Sequence, residues 1–234
     1  MTRTTLQALI AAALLPTLAA CGGHGGDDDA RVEMHTLRIT VANLTANQPL
    51  SPVLVSLHRS GAPWTAGMPA SSGLERLAEG GDGTALAAEL AAQGGIVDAT
   101  GSAPVGPGAG DSFELSYPAA EDAQLSLATM LVNTNDAFSG LSALPVGAMA
   151  AGDRQQFVLA AWDAGTEANS EAAGTIPGPA DGGTGFDPQR DDPLDAVRLH
   201  AGVVSRDDGL ADSTLGSKFR FDNPVLRVTV ERVR

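Results

Sequence analysis

The sequence predicts an all-β domain of about seven strands that carries two short helices. Three observations predict it. Apolar and polar residues alternate with period 2 near both ends of the chain, and short runs of similar character between them are bounded by Pro, Gly, Asn and Asp. Only two stretches break that pattern with Ala, Leu and Glu at helical spacing.

Taken in order, residues 36–41 (Thr-Leu-Arg-Ile-Thr-Val) put Leu37, Ile39 and Val41 on one face, as a half-buried strand requires. Residues 53–57 form the next candidate. Residues 72–79 and 84–93 are predicted as short surface helices, with Leu86 and Leu90 spaced i, i+4 and Asp82 or Thr84 placed to cap. Strand candidates follow at 113–117, 124–132 and 156–162. Residues 165–195 are mostly Gly, Pro, Ala and acid without an apolar period, so a long irregular loop is expected, and loops of that length in compact domains are usually functional or disordered. Strands at 197–204 and 226–230 complete the chain, the last alternating Leu226, Val228 and Val230 with Arg227 and Thr229.

The ends determine an expected address. Arg3, an apolar run of 13 residues from Leu6 to Leu18, and Leu18-Ala19-Ala20-Cys21 read as a signal segment, since crossing a bilayer takes about 20 apolar residues. Leu-Ala-Ala-Cys resembles the lipobox of bacterial lipoproteins, in which the cysteine thiol is acylated and the chain is cut before it. The expected organisation is therefore a signal peptide at 1–20, a lipidated Cys21 opening a flexible acidic and glycine-rich tether at 21–35, and one β domain at 36–234. More than one acyl chain anchors a protein stably where one alone does not. Gly22 following the cysteine tilts the expectation toward the outer membrane. His24 and Asp27 to Asp29 lie in the tether and read as spacer residues.

Cys21 is the only cysteine, so the domain must hold by packing without an internal disulfide. The formal charge is −14, and losing Arg3 with the signal makes it −15. Nucleic acid and anionic lipid are poor partners for such a chain. Aromatic residues are only 4% of the sequence, which argues against stacking platforms for bases or sugars.

Three strings carry the candidate chemistry: 43–58, beginning Asn43-Leu44-Thr45; 127–141, containing Asn133-Thr134-Asn135-Asp136-Ala137-Phe138; and 161–171, containing Trp162-Asp163-Ala164-Gly165-Thr166-Glu167. Together with Gly67 to Ser72 and Leu77-Ala78-Glu79-Gly80, in that order, they resemble the spondin N-terminal domain family from about Leu37 to Val230. The resemblance implies a C2-like antiparallel β-sandwich of about eight strands with calcium bound in loops at one end. Carried over residue by residue, the implied ligands are Asp136, Asp163, Glu167 and the main-chain carbonyl of Ala164. Glu167 departs from the family's animal members, which have aspartate there.

Calcium takes six to eight hard oxygens on adaptable loops, which these strings supply. Read without the resemblance, the same acids are also ordinary turn residues. His58 and His200 fall in strand patterns without the spacing of a zinc site, and no serine lies in a Gly-x-Ser-x-Gly elbow, so no catalytic residue is assigned. The expected function is a non-enzymatic, lipid-anchored envelope module of binding or adhesion type. Its expected partners are the membrane and an extracytoplasmic protein or matrix ligand, and calcium would stiffen its loop end. The competing readings are an envelope hydrolase using loop carboxylates and a structural envelope lipoprotein.

Overall fold

The computed structural model describes residues 32–234, so the signal segment, Cys21 and the tether as far as Arg31 lie outside the described residues. Ten strands and two α-helices follow in the order β1 (Met34–Asn43), β2 (Leu54–His58), α1 (Ser72–Gly80), α2 (Thr84–Ala92), β3 (Gly95–Thr100), β4 (Gly110–Pro118), β5 (Gln124–Met130), β6 (Ala137–Pro145), β7 (Arg154–Leu159), β8 (Trp162–Asp163), β9 (Arg198–Leu199) and β10 (Leu226–Arg232). They form two antiparallel sheets, one ordered β4-β1-β10-β7 and the other β3-β2-β5-β6-β8-β9. The architecture is an all-β sandwich.

The first and last strands pair with each other, Ile39 opposite Val230, at the centre of the four-stranded sheet. Alternation along β1 sends Leu37, Ile39 and Val41 into the core while Arg38 and Thr40 face solvent. Opposite them Val55, Leu57, Leu125 and Leu127 come from the six-stranded sheet and Val53 from the residue just before β2, and all five are buried.

That second sheet is covered on its other side as well. Leu74 and Leu77 of α1 and Leu86 and Leu90 of α2 pack with Leu54, Ala128, Phe138 and Trp64 in a separate apolar cluster. The helices expected on the surface thus form a third layer. Ser71 caps α1 by accepting the Leu74 amide at 3.1 Å, and Glu89 of α2 accepts the Gly73 amide at 2.7 Å and the Ser71 hydroxyl at 2.6 Å. Asp82 accepts the Thr84 amide at 2.9 Å, as the sequence expects.

The strands depart from expectation at four places, the first being β3, an unexpected strand that pairs with β2. The strand expected at 197–204 shrinks to Arg198–Leu199, because the chain then leaves the sheet to wrap the loop end. The run expected at 156–162 divides into β7 and β8, which belong to different sheets. β6 was not among the expected strands. Gly140 is required there: a Cβ would lie 1.8 Å from the Leu127 carbonyl oxygen, where the pairing of β5 with β6 shifts register. The segment expected to be irregular, 165–195, contains no strand or helix. β1 begins two residues before the expected domain boundary.

Candidate functional site

The expected ligands gather where β6 begins and β8 ends. Pairing of those strands sets Ala137 opposite Asp163, which brings Asp136 beside the loop that follows β8. Gly165, at φ 72°, turns that loop; a Cβ on it would come within 2.5 Å of the Ala196 backbone. The turn directs the amides of Thr166 and Glu167 at Asp136 Oδ2, with donor distances of 2.9 and 3.2 Å. The Ala164 amide donates to the Asp136 carbonyl at 3.3 Å.

Asp136 is fully buried, and its Oδ1 has no hydrogen-bond partner. Burial, reinforced by the negative charge of Asp163, pushes its carboxyl up to about 7, against the two amide bonds that favour ionisation. Glu167 is likewise pushed up to about 7, by burial and then by Glu79, Asp136 and Asp191, while Asn135 donates to its Oε1 at 2.9 Å. Two loop acids at the same end thus share one electrostatic environment.

Asp163 is differently placed. Its Oδ1 accepts the Gly165 amide at 2.8 Å, and its Oδ2 accepts Asn169 Nδ2 at 2.6 Å and Arg198 Nη2 at 2.9 Å. Burial raises its pKa, and Asn169, Arg198 and Gly165 oppose the rise. Arg198 also grips Asp192 at 2.7 and 3.1 Å. Its guanidinium therefore balances charge beside Asp163, where the sequence reading expects the ion alone to do so.

Behind Asn169 stands His200. Its Nδ1 accepts the Gly202 amide at 2.9 Å, which leaves Nε2 to donate to Asn169 Oδ1 at 3.0 Å. Burial and the Arg198 charge push His200 down to about 4, so it is neutral at ordinary pH. It fixes the orientation of Asn169, and through it Asp163.

Two further acids converge on this end. Glu79, from the last turn of α1, accepts the Asp187 amide at 2.9 Å through Oε2 while its Oε1 has no partner. Glu171, buried at φ 45°, accepts the Val204 amide at 3.2 Å and has its Oε2 unpaired. Among the described residues, no group of three or more His, Cys, Asp or Glu side chains is arranged to hold a metal ion. The acids are coupled in charge, yet their free oxygens do not meet at one point. A cation shell here would therefore draw on main-chain carbonyls, amide side chains and water beside one or two carboxylates, which is within the ordinary range for calcium. Asp136 fits that chemistry through its unpaired Oδ1 and Glu167 through a carboxylate engaged by a single amide. Asp163 fits only if it exchanges Arg198 for the ion.

The quoted strings also join one another. Gln48 Oε1 accepts the Asn133 amide at 3.2 Å, and its Nε2 donates to the Asn133 and Phe219 carbonyls at 3.2 and 2.8 Å. Asn43 is buried and donates to the Gln48 and Val105 carbonyls. The polar residues of the first string thus brace the loop containing Asp136. Arg198 and His200 were missed as members of the site, since no local spacing marks a residue that reaches it through the end of a two-residue strand. Asn135 and Glu79 lie inside the strings already singled out.

His58 is a packed residue: Nδ1 donates to the Ser60 carbonyl at 2.9 Å, so Nε2 accepts the Ser126 hydroxyl at 2.7 Å. Ser126 lines a small apolar recess with Leu54, Leu86 and Leu90. No protein-family model matches the chain, and a search of curated proteins finds no relative.

Proposed function

We propose that this chain is an exported, lipid-anchored binding module of spondin N-terminal type, in which calcium stiffens the end of the sandwich that presents residues 165–195. The observation that carries the reading is the buried, unpartnered Oδ1 of Asp136, held where two loops meet. An unpaired buried carboxylate oxygen costs free energy, and a divalent cation removes that cost while neutralising the neighbouring acids.

When bound, calcium supplies positive charge and ordering, without reaction chemistry. Asp136, Glu167 and the Ala164 carbonyl would hold it, with Asp163 joining on release from Arg198. Asn135 orients Glu167, and Asn169 with His200 orients Asp163. A rigid loop end on a sandwich is a usual location for recognition, and the lipid on Cys21 would present it at the outer membrane. The resemblance that suggests the family rests on the strings quoted above.

Thermal unfolding in calcium and in chelator tests the reading. At 10 mM calcium, an extracellular-type Kd of about 10⁻⁴ to 10⁻³ M adds about 1.4–2.7 kcal/mol to stability, a rise of about 3–10 °C for a domain of this size. Equal midpoints in calcium and in chelator, with no heat of binding, would count decisively against it.

A further inference from the structure

The outer face of the four-stranded sheet concentrates the opposite charge. Arg38 on β1, Arg154 on β7 and Arg227 on β10 project from it, on a chain whose net charge is −14. Together with Thr40, Gln156, Thr229 and Glu231 they line a concavity of about 350 Å³, within the size range of small-molecule sites. A second hollow of about 380 Å³ shares Arg38 and adds Thr36, Glu114, Ser116 and Arg234.

Register defines the layout. Glu231 lies opposite Arg154, Thr229 opposite Gln156, and Arg227 opposite Val158. Rows of the same face are two residues, or about 7 Å, apart, so Arg154 and Arg227 flank the Thr229–Gln156 row from either side. Thr40 extends that row across β1 to Ser112. Arg38 is held by Glu114 at 2.9 Å and approaches Glu231 at 3.7 Å. Among the described residues, Arg154 and Arg227 make no ion pair.

The mixture of groups selects the ligand. Two uncompensated guanidiniums call for an anion, and Arg pairs best with planar carboxylates. Glu231 on the same wall repels a ligand that offers only negative acceptors, so the ligand must also bring donors. Hydroxyl and amide groups between the arginines add short, directional hydrogen bonds, and no aromatic ring lines either hollow. We infer that this face binds a short acidic saccharide, its carboxylates on Arg154 and Arg227 and its hydroxyls on Thr229, Gln156 and Glu231. The strong negative charge of the rest of the chain limits the ligand to a short one, because a long polyanion would extend over acidic surface. The inference does not require calcium at Asp136.

Calorimetric titration of the full-length chain with digalacturonate, with neutral galactobiose and with inorganic phosphate tests it. Digalacturonate should bind at least tenfold more tightly than either control and weaken as salt rises from 20 to 200 mM. Arg154→Gln and Arg227→Gln should each weaken it several-fold, Thr229→Val about as much, and the double arginine variant should abolish it, with melting temperatures unchanged because both arginines are exposed. Absence of digalacturonate binding, equal binding of galactobiose, tighter binding of phosphate, or full affinity in the double variant would each overturn the assignment.

Discussion

Asp136 and Arg198 divide the electrostatics of the loop end between them, one carrying an unpaired negative oxygen and the other a cation already committed to Asp163 and Asp192. Asp163→Asn should erase the calcium-dependent rise in melting temperature if the ion displaces Arg198 from that carboxylate. Arg198→Gln should then tighten calcium binding several-fold in a calorimetric titration while lowering stability in chelator, since two acids lose their partner. Glu171 offers a test by pH. Burial pushes it from its ordinary 4.5 up to about 7, so the folded state holds the proton more tightly than the unfolded one. Stability from this residue is therefore gained as pH falls through 7 toward 4.5 and lost as pH rises through 7. Glu171→Gln should make the protein more stable at pH 8, on the order of 1–3 kcal/mol by urea unfolding, with little difference at pH 5. The site's acids were legible in the sequence because they fall in loop strings with a recognisable order. Arg198 was not, because its role depends on the pairing of β9 with β8, which no local spacing encodes.

Strand by strand, two signals carried legibility: alternation marked the half-wet strands, and short apolar runs bounded by turn residues marked β2 and β5, whereas the partly exposed β3 was missed. β1, β4 and β10 each keep one wet face, so polar and apolar residues alternate and the sequence marks them. β5 and β6 lie between the main core and the helix layer, and burial on both faces removes the alternation. β6 was hidden further by Gly140, a residue demanded by close approach to β5. Gly140→Ala should therefore cost about 3 kcal/mol or prevent folding, since the clash is with backbone rather than with a movable side chain. Leu77→Ala, at the centre of the helix-facing cluster, should cost about 2–5 kcal/mol in chemical unfolding and leave calcium binding intact. Affinity lost along with stability in that variant would mean that α1 positions the loop end through Glu79.

Across the whole molecule, the acidic loop end and the arginine-bearing sheet face give one small domain two chemically opposite surfaces. The charge sum read from the sequence described only the first. A net −14 excludes polyanions as general partners, yet it says nothing of a local cluster that the register of three strands assembles from positions 38, 154 and 227. The proposed lipid anchor would set how both surfaces meet their surroundings, and Cys21→Ala should release the protein from membranes and abolish labelling by palmitate. Membrane retention in that variant would remove the anchor from the account and leave the two surfaces untouched.

Crystals grown in 10 mM calcium chloride and measured for anomalous scattering test the central claim most directly. The account predicts an ion 2.3–2.6 Å from Asp136 Oδ1, with Glu167 and the Ala164 carbonyl among its oxygen neighbours. Density showing Asp136 Oδ1 bonded to water alone, with no ion at the head of β6, would contradict it.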